Sequence, residues 1–381
     1  MVNQFIQEVR QHYRRPHGKI YLIETAMFGN ELQFINNCLN SGKVSTIGQE
    51  VKQFEDAIAT RLNVKYALAT SSGTAALHLG LMALGVKPKE WILTSPFTFL
   101  ATSNAILQAG GRPLFVDIDR STLGLSPNKL EEFLAQETYL DESGNCYHQA
   151  SGRRIAACLP IHVFGHPADV KTIVRLCQQY RIPVLEDAAE GLGSTLHGQA
   201  VGTWGNAGVI SFNGNKVITS GGGGMLLTNE ELIYQRAFRR ANQLTSAMSN
   251  EVNEVSHNYR MPALNAALGL AQLTHLDHCL QQKRILYNWY AALFQESDIT
   301  VWREQPEAHS NYWLQAAVFP NQEQRDSFVK QTNTAGIETR AAWKSLHRYS
   351  LFSHDFHTSL PQAEWAESCI ANLPSTIIPY A

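Results

Sequence analysis

The sequence is poor in the features that mark several large classes of protein. Its 381 residues include only six cysteines, Cys38, Cys146, Cys158, Cys177, Cys279 and Cys369, and no two form a Cys-x-x-Cys pair, which speaks against a disulfide scaffold or a thiolate metal site. Cys158 in AACLP and Cys177 in VRLCQQY sit among apolar neighbours, so buried free thiols and a reducing, cytoplasmic setting are expected. The 14 histidines lack the paired spacing of zinc ligands, and no metal is expected. No uninterrupted apolar run approaches the roughly 18 residues of a membrane span, and the opening MVNQFIQEVRQHYRRPHGK has no apolar signal core. With 31 Lys and Arg against 33 Asp and Glu, the formal charge is only −2, leaving no electrostatic case for nucleic acid or an anionic membrane. A dinucleotide fingerprint is missing as well: TSSGTAAL stands where G-x-G-x-x-G would follow the first expected strand.

What the sequence does have is a cycle of short apolar runs and helical stretches over about residues 64–230. VKYALAT (64–70), EWILTSP (90–96), RPLFVDID (112–119), RRIAACLPIH (153–162), IPVLEDA (182–188), AGVISFN (207–213) and GGMLLTN (223–229) read as strands. GTAALHLGLMALG (73–85), SNAILQAG and 169–180 read as helices between them. Continuous rather than alternating apolar strands imply a mainly parallel sheet covered on both faces, an α/β class. The polar stretch 141–154 predicts a hairpin insertion. Beyond about 230 the pattern turns to long helices and then a smaller α+β region. The expected division is an N-terminal helical arm (1–20), a large domain (21–250) and a small C-terminal domain (251–381).

Four segments gain meaning together. Thr70-Ser71-Ser72-Gly73-Thr74 lies where a strand turns into a helix, so helix N–H groups, a glycine and small hydroxyls could cup a phosphate; alone it could be a plain helix cap. Asp187 in EDAAEG ends the IPVL strand, where open α/β sheets bind ligands, and a carboxylate there could hold a protonated pyridine nitrogen; alone it could be a cap or a surface charge. Lys216 in SFNGNK precedes a glycine run, and burial beside a cationic ring would lower its pKa toward that of a nucleophile and base, with Ser211 offering a hydroxyl; alone it could be an exposed loop lysine. Phe99 in PFTF ends the second strand and could stack on a flat heteroaromatic ring; alone it could be core. Phosphate cup, ring platform, pyridinium carboxylate and Schiff-base lysine, in one chain and each at a strand end, point to a pyridoxal 5'-phosphate enzyme that transfers an amino group.

The chain resembles the sugar-nucleotide aminotransferases of the DegT/DnrJ/EryC1/StrS family, fold type I of the pyridoxal-phosphate enzymes. The resemblance runs from about residue 20 to the C-terminus through SGTAAL (72–77), SPFTFLATSNAILQAGGRPLFVDID (95–119), LPIHVFGHPADV (159–170), EDAAEGLGS (186–194), SFNGNKVITSGGGGM (211–225), NYRMPALNAALGLAQL (258–273) and NLPST (372–376). It implies that Lys216 forms the Schiff base, that Asp187 pairs with the ring nitrogen, and that Gly73, Thr74 and Ser211 hold the phosphate. It further implies that Phe99 stacks on the ring, that His162 lies near the cofactor, and that Asn258 reaches the phosphate in a neighbouring subunit, making a homodimer with shared sites. Ser45 and Thr46 fall where the family has a substrate loop; Arg260 in NYRMP and Arg340 in GIETRAAW are candidates to meet a nucleotide diphosphate, and either could instead be a surface or interdomain salt-bridge arginine. Glu190 stands where the family usually has glutamine facing the ring's phenolic oxygen, so it must be protonated or turned away to be tolerated.

The FNGNK form, the glycine run and Glu190 resemble the subgroup acting on UDP-linked 4-keto-6-deoxy-N-acetylhexosamines, of the bacillosamine and legionaminic acid type. The implied reaction takes an amino group from glutamate to C4 of such a sugar, for bacterial surface glycans. A GDP-4-keto-6-deoxymannose 4-aminotransferase of the perosamine type is the alternative, and a 3-aminotransferase on a dTDP sugar a further one. A cofactor-holding regulator that no longer transaminates would be expected to lose the lysine or the carboxylate, and both are here.

Overall fold

The computed structural model describes residues 1–242 and 255–378. Three helices come first, α1 (Val2–His12), α2 (Glu31–Asn40) and α3 (Gln49–Leu62). The alternating region then builds β1 (Tyr66–Thr70), α4 (Gly73–Ala83), β2 (Trp91–Thr94), α5 (Leu100–Gln108), β3 (Arg112–Phe115) and α6 (Pro127–Glu137). It continues with β4 (Thr138–Leu140), β5 (Cys146–His148), β6 (Ile155–Leu159), α7 (Val170–Gln179) and β7 (Leu185–Asp187). Two short strands, β8 (Thr195–Leu196) and β9 (Gln199–Ala200), precede β10 (Ala207–Ser211) and β11 (Gly224–Thr228). The insertion hairpin is β4–β5, so it starts three residues earlier than the polar stretch suggested, because Thr138-Tyr139-Leu140 supplies the first strand.

Strands β1-β11-β10-β7 and β3-β2-β6 form two ladders, joined side by side by parallel bridges from Cys158 to Val184 and from Ile161 to Asp187. β10 runs parallel to β7, and β2 to both β3 and β6. The expectation of parallel strands fails only at β11, which is antiparallel to β1 and β10. The loop from Phe212 to Gly223 contains no helix to carry a parallel crossover, so the chain can only turn back. β2, β6, β10 and β11 are buried at every position, as a sheet covered on both faces requires. On one face α4 packs Leu77, Leu79 and Leu81 against Leu185, Val209 and Leu226. On the other, Ile210, Phe212 and Met225 join Phe54, Met261 and Ala266.

After α8 (Glu231–Asn242), the long helical region expected beyond about 230 continues as α9 (Ala263–Leu273) and α10 (Leu276–Leu293), separated at Thr274-His275. Then come β12 (Thr300–Val301), β13 (Ala308–His309), β14 (Gln315–Val318), α11 (Gln322–Thr334), β15 (Arg340–Ala341), α12 (Pro361–Cys369) and β16 (Ile370–Leu373). β12-β14-β16-β15 is an antiparallel sheet. The first helix belongs to this end of the molecule: Phe5 packs on Tyr290, Phe294 and Phe328. The boundary expected between residues 250 and 251 lies outside the described residues. All six cysteines are free and buried. Among the described residues no helix is long and apolar enough to cross a membrane.

β10 can approach the turn at Gly202 only because Gly208 lacks a side chain: a Cβ there would lie 2.1 Å from the Gly202 carbonyl oxygen. Gly208→Ala should lower stability by about 1–3 kcal/mol, the usual cost of overpacking against rigid backbone. An unchanged denaturation midpoint would show that the turn yields freely.

Candidate active site

A cavity of about 740 Å³ opens where the strands other than β11 end, the position at which open α/β sheets take ligands. Ser71, Ser72, Gly73 and Thr74 enter its wall from the β1–α4 turn, Thr98 and Phe99 from the end of β2, Asp187 and Glu190 from β7, and Ser211 and Lys216 from β10. The four segments singled out in the sequence therefore meet at one place.

The β1–α4 turn is built to receive an anion. Ser72 caps α4 by accepting the Ala75 N–H, and Ser71 N–H is taken by the Tyr259 carbonyl. Among the described residues the N–H groups of Gly73 and Thr74 have no acceptor, and they lie at the positive end of the helix dipole. Gly73 must be small, because a Cβ would stand 3.0 Å from that of Ser211. Ser211 Oγ accepts from Asn213 N–H, which leaves its proton free to donate into the same space.

Asp187 is buried, and its oxygens accept from the Thr102 hydroxyl at 2.8 Å and from Ala189 N–H at 3.2 Å. Burial raises its pKa against those two bonds. Glu190 is also buried, and burial raises its carboxyl to about 7. One of its oxygens accepts Phe164 N–H at 2.8 Å, from a residue held at φ +56°, and the other lies 3.6 Å from Lys216 Nζ. Burial lowers the pKa of Lys216, opposed by Glu190 and then Asp187. The amine is thus poised to change its charge at less cost than an exposed lysine.

Other expected residues stand elsewhere. His162 is fully buried behind the wall: its Nδ1 accepts Ala168 N–H, so the proton on Nε2 is donated to Glu186. That carboxylate also collects the N–H groups of Gly202, Trp204 and Gly205, so His162 braces the strand end instead of touching the cavity. Arg260 pairs with Glu55 at 3.1 Å and lies over the Phe238 ring, off this cavity, as the salt-bridge alternative has it. Ser45, Thr46 and Asn258 are off this cavity, with Ser45 and Asn258 exposed. Arg340 does reach the mouth, paired there with Glu338. Thr102, Trp313, Trp343 and Glu338 also stand on the wall, beyond the residues the sequence singles out. Thr98 and Thr102, one helical turn apart and bonded to each other, carry a hint in sequence; Trp313, some 97 residues beyond Lys216, carries none.

A family model for the DegT/DnrJ/EryC1/StrS aminotransferases matches residues 26–377. The chain is 36% identical over 88% of its length to the putative pyridoxal phosphate-dependent aminotransferase EpsN of Bacillus subtilis, of which it covers 84%. It is 31% identical over 93% of its length to the GDP-perosamine synthase of Escherichia coli O157:H7, of which it covers 94%. Among solved structures, the aminotransferase TlmJ of Streptoalloteichus hindustanus superposes with a TM-score of 0.84 at 26% identity, over 94% of each chain. The PseC aminotransferase of Helicobacter pylori shares the fold, with a TM-score of 0.83 at 23% identity over 93% of each chain. The chain belongs to the DegT/DnrJ/EryC1/StrS aminotransferase family.

Enzymes of this family depend on pyridoxal 5'-phosphate, and so does this one. Its cavity fits that group on its own evidence. Two helix-end N–H groups and a serine hydroxyl await acceptors, and a buried carboxylate with a raised pKa lacks a hydrogen-bonded cation. An amine of lowered pKa stands beside them.

Folded Glu190 keeps its proton to about pH 7, whereas the unfolded chain releases it near 4.5. Its stabilising contribution is therefore full below 4.5 and is lost as pH rises through 7, on the order of 3 kcal/mol. Thermal unfolding of cofactor-free protein should record that decline, and Glu190→Gln should flatten it; equal slopes in both proteins would refute the assignment.

Proposed function

We propose that this enzyme transfers an amino group from glutamate to C4 of a nucleotide-linked 4-keto-6-deoxy sugar, the UDP-linked 2-acetamido-4-keto-2,6-dideoxyhexose, for bacterial surface glycans. The observation that carries the reading is the partly buried Lys216 amine, 3.6 Å from Glu190, in the one cavity that also receives Asp187 and the start of α4.

In this reading Lys216 would hold the cofactor, Gly73, Thr74 and Ser211 its phosphate, Asp187 its ring nitrogen and Phe99 a face of its ring. Pyridoxal phosphate, when bound, supplies an electron sink for the carbon that bears the amine. Lys216 Nζ would accept the proton that leaves that carbon and deliver it to a different carbon, as amino transfer requires, work suited to an amine whose pKa desolvation has brought down. Asp187, kept from water, favours a positive partner at the strand end, and Thr102 fixes the direction of its carboxylate. Trp343 and Trp313 wall the space against water and offer flat faces to a sugar or a base. Arg340, at the mouth, is placed to meet a carboxylate or a phosphate.

Lys216 and Arg340 are set against Asp187, Glu190 and Glu338 on this wall, so the chain alone offers little to neutralise a diphosphate. That shortage supports the homodimer reading, in which Asn258, Ser45 and Thr46 serve a neighbouring subunit's site. A second reading has a specific support: relatives at 31% identity are named GDP-perosamine synthase, which favours a GDP-linked acceptor. Incubation with glutamate and UDP-, GDP- and dTDP-linked 4-keto sugars, with the aminated product identified, tests both; amination of none of them sinks the proposal.

Lys216→Ala should lower turnover by at least about 100-fold, the scale of a lost general acid–base, and borohydride should fix no pyridoxyl adduct on that variant. Retained transamination would remove Lys216 from the scheme. Asp187→Asn should lose most activity while its melting temperature stays within a few degrees; full turnover there would dismiss the carboxylate.

A further inference from the structure

Lys216 has a second neighbour whose effect on the amine the reaction scheme does not use. Its Nζ lies 3.9 Å from the centre of the Trp313 ring, on the cavity wall. Trp313 is 4% exposed and fixed at every polar atom. Its indole N–H donates to the Asn215 carbonyl at 2.6 Å, its backbone N–H to Asn311 Oδ1 at 2.8 Å, and its carbonyl accepts from Lys283 Nζ at 2.8 Å. Asn311 also donates to the carbonyls of Glu190 and Leu192, tying the indole to the segment that carries the carboxylate. Lys283 is itself buried, and its amine bonds two carbonyls, those of Trp313 and Ser375. A buried lysine spent wholly on backbone makes sense if the place it holds must not move.

We propose that Trp313 is a catalytic-site residue whose ring holds the Lys216 amine as a cation and parks it against Glu190, and that Lys283 and Asn311 position that ring. An ammonium over a desolvated indole face gains up to about 2 kcal/mol. The charged groups facing the amine are Glu190 and Asp187, which also favour the cation, while burial opposes it. Two contacts, with Trp313 and Glu190, and the more distant charge of Asp187 thus keep a partly buried amine protonatable, ready to deliver as well as accept a proton. The consequence for turnover rests on Lys216 being the cofactor lysine; the contact itself does not.

The test uses cofactor-free, full-length protein, so it reads the amine directly. Acetic anhydride labelling at Lys216 is followed against pH by peptide mass spectrometry, with tryptophan replaced by its mono-, di- and trifluoro forms. Fluorine drains the ring face while keeping its shape, so the inflection should step downward with each fluorine, by about one pH unit across the series. In Trp313→Phe protein the same analogues should leave the curve in place. A flat series with Trp313 present, or an equal series in Trp313→Phe, would overturn the proposal. Borohydride reduction of holoenzyme separates the two claims: an adduct at Lys216 with a flat series rejects Trp313 alone, and a stepped series without an adduct rejects only the lysine's cofactor role.

Discussion

Partial burial of one amine beside two buried carboxylates, at the open end of a sheet, is the constraint around which this molecule is arranged. Taken out of water, a lysine, an aspartate and a glutamate all favour their neutral forms, and each can keep charge only by leaning on the others. Lys216, Glu190 and Asp187 do this unequally. Glu190 sits 3.6 Å from the amine, while Asp187 is tied to Thr102 and acts on it from farther off. The surrounding fold fixes those distances. Phe164 adopts a left-handed backbone to present its N–H to Glu190, and Asn311 clamps the Glu190 carbonyl. Glu186, beside Asp187 on the same strand, gathers three N–H groups and His162 to hold the strand end still.

What could be read from sequence, and what could not, follows from how far along the chain each contact reaches. The β1–α4 turn, the end of β7 and the segment after β10 each carry their signal in five or six adjacent residues, because the sheet brings strand ends together by topology alone. Reading Gly73, Asp187 and Lys216 as one constellation needed no knowledge of side-chain packing. Trp313 could not be found that way. It comes from the loop before β14, in a different sheet, and only its packing places it over Lys216. Arg260 shows the opposite case: a lone arginine in NYRMP looks available for phosphate, but Glu55, buried on α3 and also bonding Ala69 N–H, needs it as a counter-ion.

The antiparallel β11 shows a further limit. An apolar strand reads the same in either direction, so its sense depends on whether the connection can cross over. The loop from Phe212 to Gly223 cannot, and the reversal has a use. It brings Gly224 against the backbone of Ser72 and Gly73, where a Cβ would lie 2.5 Å from Gly73 nitrogen. Gly222 and Gly223, just before β11, therefore line the cavity beside the β1–α4 turn, while Lys216 enters its wall from the same loop.

Glu190 then acquires a reason to be a carboxylate. A glutamine in its place could still accept Phe164 N–H, so packing alone does not require the acid. What only the acid provides is a proton that leaves near neutral pH, 3.6 Å from an amine pressed from its other side by an aromatic face. A lysine in that setting has a carboxyl within 3.6 Å of its amine, on the same cavity wall. Glutamate at this position is tolerated in the cavity wall because burial raises its pKa and its carboxyl faces the Lys216 amine at 3.6 Å.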